Sequence, residues 1–168
     1  MLRNKILLLL TIFFFSETSC EKYKNSPESN VVINELMAVN STIVADQNGE
    51  YDDWIEMFNK SSLIMDVSGY YITDSKSNLV KWQFPKGTTI PANGYLIVWA
   101  DNDTTQNGLH SNFKLSSAGE KLLFINPEKL IIDEVDYPAQ TLELSYSRNP
   151  NGTGSFVWQS ATFSAKND

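Results

Sequence analysis

The residues best suited to chemistry lie in one acidic stretch, Asp46-Gln47-Asn48-Gly49-Glu50-Tyr51-Asp52-Asp53. Oxygen-bearing side chains alternate along it at Asp46, Asn48, Glu50 and Asp52, and a glycine allows the chain to bend. A hard cation such as calcium selects oxygen ligands of this kind. The stretch is not an EF-hand, because its glycine comes too early and no bidentate glutamate closes the twelfth position. The first hypothesis is therefore a calcium site formed by Asp46, Asn48, Glu50 and Asp52.

The same stretch also has an ordinary structural interpretation. Asp and Asn side chains cap turns by accepting backbone hydrogen bonds, and Asp53 could anchor the strand predicted to start at Trp54. A second acidic group, Asp101-Asn102-Asp103, follows another predicted strand. It could complete a cation site from across the end of the domain, or it could lie in solvent. The sequence leaves these alternatives open.

The sequence contains few of the residue combinations that are typical of catalytic sites. The single histidine, His110, is followed by Ser111, but no Gly-x-Ser-x-Gly elbow occurs anywhere, and we interpret His110 as a structural or surface residue. Glu35, Glu56 and Asp74 could supply the paired carboxylates of a glycosidase, which would need a cleft and a raised pKa. Phosphate loops, Rossmann glycines and zinc spacings are absent from the sequence. The chain is predicted not to be an enzyme, and a small carboxylate-based hydrolase is kept as an alternative.

Composition narrows the function further. The chain has 168 residues with 13 Lys and Arg, 20 Asp and Glu, one His and one Cys, so its formal net charge is −7. A chain of this length, 42% hydrophobic and 12% aromatic, can form one domain with a substantial core. The acidic excess and the scattered lysines and arginines argue against binding to nucleic acid. A lone cysteine excludes an intrachain disulfide and any site built from a pair of cysteines.

The elements that must position these residues are short strands. From Val31 onward, apolar or alternating runs rich in β-branched and aromatic residues are separated by turn pairs such as Asn48-Gly49 and Ser68-Gly69. From Cys20 onward, no window of eleven or more residues has helical periodicity. The pattern predicts an all-β antiparallel sandwich. Its predicted strands are Val31–Val39, Trp54–Asn59, Ile64–Val67, Tyr70–Thr73, Lys81–Phe84, Tyr95–Ala100, Lys121–Asn126, Leu130–Tyr137, Ser145–Arg148 and Phe156–Gln159.

Alternation within these strands predicts which side chains share a face. In the strand from Trp54, Ile55 and Met57 point one way and the other large side chains point the opposite way. The run Tyr95–Trp99 is apolar on both faces, which predicts a central strand covered on each side. Most aromatic rings are predicted to lie in the core or at its edge. The alternative is a carbohydrate-stacking platform, which needs several rings exposed on one face.

The first twenty residues have the three parts of an export signal. A basic start is followed by the apolar run Ile6–Phe15 and a small polar end that finishes at Cys20. The run is shorter than the roughly 20 apolar residues that span a bilayer. The segment resembles a bacterial lipoprotein signal, with Ser19 just before the cysteine, although Glu17 stands where an aliphatic residue is typical. The resemblance implies lipidation of Cys20, and the alternative is an ordinary secreted protein with a free thiol.

Several stretches together resemble the bacterial lamin-tail domain family. The resemblance covers about Val31 to Gln159 in the family's order and implies an immunoglobulin-like β-sandwich. It also implies an exported binding or adhesion module, of a kind often appended to hydrolases, without an agreed catalytic site. The stretches that carry it are Ile33–Ala38, Tyr51–Asn59, Asp66–Asp74, Lys81–Pro85, Ile90–Tyr95, Gly108–Leu115 and Ser145–Gly152.

These observations combine into one predicted organisation. Residues 1–19 form a lipoprotein signal peptide, 20–30 the lipidated cysteine and a flexible tether, 31–160 the sandwich, and 161–168 a C-terminal tail. The predicted function is a non-catalytic binding or scaffold module of the periplasm or cell surface, anchored to a membrane through Cys20. The expected partner is an envelope protein or a polysaccharide, and the alternative is a calcium- or carbohydrate-binding surface module. No cofactor is required by this interpretation, and calcium is the ion the loop could hold.

Overall fold

Eleven β-strands make up the computed structural model of this chain, which describes residues 29–140 and 143–168. The predicted signal peptide, Cys20 and most of the predicted tether lie outside the described residues. The strands are β1 (Val31–Met37), β2 (Trp54–Asn59), β3 (Met65–Asp66), β4 (Tyr71–Thr73), β5 (Trp82–Gln83), β6 (Thr89–Ile90), β7 (Tyr95–Trp99), β8 (Gly119–Ile125), β9 (Ile131–Pro138), β10 (Ser145–Asn149) and β11 (Ser155–Gln159).

The strands form two facing antiparallel sheets and a small ribbon. The first sheet has the order β11-β10-β1-β2-β7, the second has the order β5-β4-β8-β9, and β3 pairs with β6. No helix occurs in either described range, so none there could cross a bilayer. The predicted fold class, an all-β immunoglobulin-like sandwich, is confirmed. Ten of the strands were predicted; β6 was not, because it has two residues and Pro91 follows it directly.

The core lies between the two sheets. Ile33 and Leu36 of β1 and Ile55 and Met57 of β2 are fully buried there and meet side chains of the second sheet. Each large apolar side chain buried in this way contributes about 1.5–3 kcal/mol. Trp54 belongs to a different cluster on the opposite face of the first sheet, so the predicted division of faces in β2 is confirmed.

The position predicted for β7 is wrong in one respect. The strand lies at an edge of the first sheet, not in its centre. Both of its faces are nevertheless partly covered, since Val98 belongs to the core and Trp99 to the outer cluster. Its free edge is protected where the Trp99 N–H donates to the Leu109 carbonyl and the Ser111 N–H donates to the Trp99 carbonyl. An apolar pattern on both faces predicts that both faces of the strand are covered. It does not predict whether the strand has a hydrogen-bonded neighbour on each side within the sheet.

The outer face of the first sheet is covered by the C-terminal segment, defined here as residues 160–168. The Phe163 ring lies 5.2 Å from the Trp54 ring and 5.7 Å from the Trp99 ring, measured between centroids. This explains why every residue of β1 and β2 is buried, although only one face of these strands meets the second sheet. The residues placed at sequence level in a tail thus pack against the domain.

The two ends of the sandwich carry different loops. The described chain enters beside Val31, which pairs with Asn59 at the end of β2. At the opposite end, Met37 pairs with Trp54, and Trp54 pairs with Trp99 of β7. The seven residues of β1 separate the two ends by about 20 Å at the usual rise of a strand. Both acidic stretches therefore lie at the end remote from the point of entry.

Candidate functional site

The acidic loop, residues 45–53, is held in shape by a buried asparagine. The Asn40 side chain is 6% exposed and donates from Nδ2 to the carbonyls of Val44 (2.6 Å) and Asp52 (2.8 Å). Its Oδ1 accepts the backbone N–H groups of Ile43 and Val44. One side chain thus connects the start and the end of the loop, which fixes the backbone from which the acidic side chains project.

Asp46 has two carboxylate oxygens with different surroundings. Oδ1 accepts the backbone N–H groups of Asn48 and Glu50, both at 2.8 Å, which is the turn-capping role expected of an aspartate. Oδ2 is buried and has no hydrogen-bond partner. The residue as a whole is 8% exposed. A buried carboxylate oxygen without a partner is costly, because desolvation of a charged group is then uncompensated.

Three of the four predicted calcium ligands come together. Asp46, Glu50 and Asp52 each place a carboxylate oxygen within 4.8 Å of the oxygens of the other two. Asn48, the fourth predicted ligand, uses its side-chain nitrogen to donate to the Gln106 Oε1 atom. The alternating pattern therefore indicated the carboxylates of the group, while the amide at Asn48 serves to connect two loops.

A facing loop, residues 101–109, closes the other side of a pocket. Its Gln106 donates from Nε2 to Glu50 Oε2 at 2.8 Å, and Asp101 and Asp103 also line the pocket. The pocket has a volume of about 460 Å³ and is polar. The predicted approach of Asp101-Asn102-Asp103 across the end of the sandwich is thus present, because Asp101 directly follows the end of β7, beside the start of β2.

The pocket has an excess of negative charge that perturbs its acids. Burial and then the charges of Asp101 and Glu50 raise the pKa of Asp52, and Lys114 acts in the opposite direction. Burial raises the pKa of the neighbouring Asp53 to about 7, although a backbone hydrogen bond from Leu115 favours its ionised form. Lys114 was not predicted as part of the site. Its signal was the alternation in Phe113-Lys114-Leu115, where two buried residues flank an exposed one.

His110 is a buried structural residue behind the pocket. Its Nδ1 lies 2.5 Å from Asp101 Oδ2, and both side chains are almost completely buried. The hydroxyl of the adjacent Ser111 donates to the Phe113 carbonyl at 2.8 Å, so it is not aimed at the histidine. The pairing ties the segment that covers β7 to the start of the facing loop, in agreement with the structural role expected of His110.

The three carboxylates considered for hydrolysis do not share a cleft. Asp74 follows β4 of the second sheet and forms an ion pair with Lys81 at 2.6 Å. Glu35 and Glu56 are register partners on β1 and β2 and are 0% exposed. We call these two residues the carboxylate pair. They lie beneath the C-terminal segment, so a substrate has no path to them in this conformation.

The carboxylate pair receives hydrogen bonds from the C-terminal segment. The Thr162 N–H donates to Glu35 Oε1 at 2.9 Å and its hydroxyl donates to Glu35 Oε2, while the Ser164 N–H donates to Glu56 Oε2 at 2.6 Å. Asn34 donates to Glu56 Oε1 at 2.8 Å. Burial, partly offset by the Asn34 hydrogen bond, still raises the pKa of Glu56 to about 7. These donors were missed at sequence level, because no local pattern connects residues more than 100 positions apart.

A glycine turn completes this polar network. The Gly152 N–H donates to Asn34 Oδ1 at 2.9 Å, and Asn151 Oδ1 accepts from Asn34 and from the Asn167 backbone. Gly152 has φ +71°, and a Cβ there would lie 2.6 Å from the ring of Phe58. Only glycine fits this position without displacing the ring, which explains the Asn151-Gly152 sequence in the stretch after β10.

Aromatic side chains form no open stacking platform in the described ranges. Among their aromatic residues only Tyr51, at 49% exposed, is freely accessible, and the predicted core positions of Trp54, Trp82 and Phe113 are buried. At the β10–β11 edge the partly buried Tyr146 ring stacks on Phe156 and contacts Trp158 in a tilted arrangement. A platform of several exposed rings is therefore not formed by this part of the chain.

Comparison with known proteins identifies the domain. Residues 24–139 match the protein family described as Lamin Tail Domain. The matched region contains β1 to β9 and both loops of the acidic pocket, and it exceeds half of the chain. No curated protein matches the chain.

Proposed function

The chain belongs to the lamin tail domain family, and we propose that it is a non-catalytic binding module of the cell envelope, which presents the loops at one end of its sandwich to a partner. The observation that carries the proposal is the separation of the two ends. The chain enters beside Val31, while the acidic and facing loops lie at the opposite end of β1. A module attached at its N-terminus would thus direct these loops away from its attachment.

The loops are cross-linked, which supports a role in presentation. Gln106 bonds both Asn48 and Glu50, and Gln47 contacts the Asn107 carbonyl and His110. The Ala100 N–H also donates to the Asp53 carbonyl at 2.7 Å. Loops held by a rigid scaffold lose little conformational entropy when they bind, and binding residues are commonly placed in this way.

The non-catalytic part of the proposal is supported by how the candidate acids are used. Glu35 and Glu56 face protein donors, and Asp74 is paired with Lys81. A general acid or base must reach a substrate within hydrogen-bond distance. Turnover of a polysaccharide, nucleic-acid or ester panel by the purified protein, lost on substitution of Glu35 or Glu56, would overturn this part.

The membrane attachment is proposed from the sequence around Cys20. Lipidation of the cysteine would hold the module at a membrane by its acyl chains, each buried CH₂ contributing about 0.8 kcal/mol. Replacing Cys20→Ala should move the protein from the membrane fraction to the soluble fraction. Unchanged partitioning of this variant would contradict the lipid anchor and leave the binding role to be tested separately.

The binding role is tested by a pull-down from the native envelope. The bait is the full chain, compared with a variant in which Gln106→Ala removes the Gln106 contacts to Asn48 and Glu50. The same partner should be recovered with the wild-type protein and depleted with the variant. A matched control, Gln83→Ala at the opposite end, should recover it in full. Equal recovery with all three proteins would show that the loops are not the binding surface.

A further inference from the structure

We propose that the pocket between the acidic and facing loops binds a calcium-like divalent cation, with Asp46, Glu50 and Asp52 as its protein ligands. The inference deepens the proposed function, on which it rests for the assignment of this end of the sandwich to binding. It goes beyond a count of acidic residues, because one of these three carboxylates has a buried oxygen with no partner.

That oxygen is Oδ2 of Asp46. The residue is 92% buried, and its other oxygen already accepts two backbone N–H groups. Across residues 29–140 and 143–168, two other buried side-chain atoms lack partners, and both are on uncharged side chains, Trp54 and Ser147. The Asp46 carboxylate approaches oxygens of Glu50 and Asp52 within 4.8 Å. A cation bound to the three carboxylates would place positive charge beside the buried Asp46 carboxylate and offset its desolvation cost.

The negative charge around the three ligands also favours a bound cation. Asp101 and Asp103 line the same pocket, and Lys114 is the one basic residue in its lining. Gln106 donates to Glu50 at 2.8 Å and lies 3.4 Å from Asp103, so it draws carboxylates of both loops toward one point. Like charges brought this close repel one another, and a divalent cation between them would convert the repulsion into attraction.

The donor set selects calcium over other metals. All three ligands are carboxylates, whereas zinc and copper sites use imidazole or thiolate groups. The nearby imidazole of His110 is engaged with Asp101 instead. Magnesium demands near-ideal octahedral geometry, but calcium accepts six to eight oxygens in irregular positions, including water. Asp46 is buried and Glu50 exposed, so protein oxygens would lie on one side of the ion and water on the other.

The test uses terbium and calcium as probes on the full chain purified in detergent. Terbium occupies calcium sites and luminesces when a nearby aromatic side chain is excited, and Tyr51 lines this pocket. Wild-type protein should show luminescence that calcium displaces and magnesium displaces at least about tenfold less effectively. The proposal is overturned if wild-type protein shows no calcium-displaceable luminescence.

Two isosteric variants localise the site. Asp46→Asn keeps the Oδ1 acceptor and so keeps the turn, but it should weaken terbium and calcium binding by about tenfold or more. Asp66→Asn is the matched control, because Asp66 Oδ1 accepts the Ser68 N–H in the same kind of turn at the other end of the sandwich. The control should bind as the wild type does. Equal binding by Asp46→Asn and wild type, with both folded by thermal melting, would place any ion elsewhere.

A third variant changes affinity in the opposite direction. Lys114→Gln removes a positive charge from the pocket lining and should tighten calcium binding by several-fold, whereas a loss of affinity would contradict the proposed position of the ion. The pull-down, repeated with calcium and with chelator, separates this inference from the proposed function. Partner recovery without any calcium binding would reject the cation site alone. Calcium binding without partner recovery would reject the binding role alone.

Discussion

Two groups of carboxylates in this protein have the same chemistry and different surroundings. Glu35 and Glu56 are fully buried, and donors from Thr162, Ser164 and Asn34 satisfy all four of their oxygens. The acidic loop also buries a carboxylate, yet Asp46, which lies beside the carboxylates of Glu50 and Asp52, keeps one oxygen unpartnered. Every oxygen of the first group accepts a hydrogen bond from the protein, whereas the second group has fewer hydrogen-bond donors than it has oxygens to satisfy.

The two groups differ in the supply of hydrogen-bond donors more than in the number of acids. The carboxylate pair lies on adjacent central strands, where a covering segment can deliver N–H groups from above. The acidic loop lies at an open end, where Gln106 donates to Glu50 from the facing loop and Lys114 lines the same pocket. The first group should therefore matter for stability and the second for binding, and four experiments test that division.

The largest effect is expected from deleting residues 161–168. The deletion removes the Phe163 ring from Trp54 and takes three donors from Glu35 and Glu56. The deletion also exposes the Trp54 and Trp99 side chains to water, so with the lost hydrogen bonds we expect a decrease of more than about 4 kcal/mol in the free energy of unfolding. Urea denaturation measures it. An unchanged midpoint would show that the segment covers the sheet without stabilising it.

The second effect is a dependence of stability on pH that arises from Glu56. Its pKa is about 7 in the folded protein and ordinarily 4.5, so the folded state holds this proton more tightly. The contribution is fully present below about pH 4.5 and is lost as pH rises to about 7. The loss amounts to about 3 kcal/mol at about 1.4 kcal/mol per pH unit. Asp53, whose pKa is also raised to about 7, adds a change in the same direction.

The pH effect has a specific control. Glu56→Gln cannot ionise, so its stability should fall less between pH 5 and pH 8 than that of the wild type, whatever its constant offset. Glu128→Gln changes an exposed carboxylate between β8 and β9 and should retain the wild-type slope. Identical slopes for all three proteins, measured by urea denaturation at each pH, would mean that Glu56 ionises as easily in the folded state as in the unfolded state.

A smaller effect should follow from Thr162→Val. This change removes the hydroxyl that donates to Glu35 but keeps the backbone N–H and a similar shape. A buried oxygen left without its hydrogen-bond donor costs about 1–3 kcal/mol, so we expect the free energy of unfolding, measured by chemical denaturation, to decrease by about 2 kcal/mol. Thr153→Val, at an exposed position in the turn after β10, is the control and should change little. Equal effects would remove Thr162 from the account of the carboxylate pair.

The smallest effect is expected in the acidic loop. Asp52→Asn, measured with chelator present, relieves repulsion from Asp101 and Glu50. We expect unchanged or slightly higher stability, within about 1 kcal/mol of the wild type, because the Asp52 backbone that meets Asn40 is retained. A thermal melt measures it. A loss comparable to that of Thr162→Val would abolish the distinction between the two groups.

Local patterns predicted much of the fold and part of the site. Alternation in β2 correctly assigned Ile55 to the core and Trp54 to the opposite face. Alternating oxygens predicted the group of Asp46, Glu50 and Asp52, because a short loop with a glycine brings alternate positions together. Turn pairs located most strand ends. Each of these features depends on residues close to one another in the sequence.

The features that were missed depend on distant residues. The two-sided apolar run of β7 indicated a covered strand, but it could not show that the outer face is covered by the C-terminal segment. Glu35 and Glu56 were considered as paired carboxylates of a hydrolase, because nothing near them in the sequence shows that Thr162 and Ser164 bind them from more than 100 positions away. Only the assembled sheet brings such donors and acceptors together.

The central place of β1 has a mechanical consequence. The strand pairs along its length with β2 on one side and, at Glu35 and Leu36, with β10 on the other, and the chain enters it directly at Val31. If the module is held by its N-terminus and a partner pulls on the remote loops, the tension runs parallel to β1. The hydrogen bonds that β1 forms with both neighbouring strands would then be loaded together in shear, instead of breaking one after another. A domain tethered through its middle strand is thereby built to stay folded under traction.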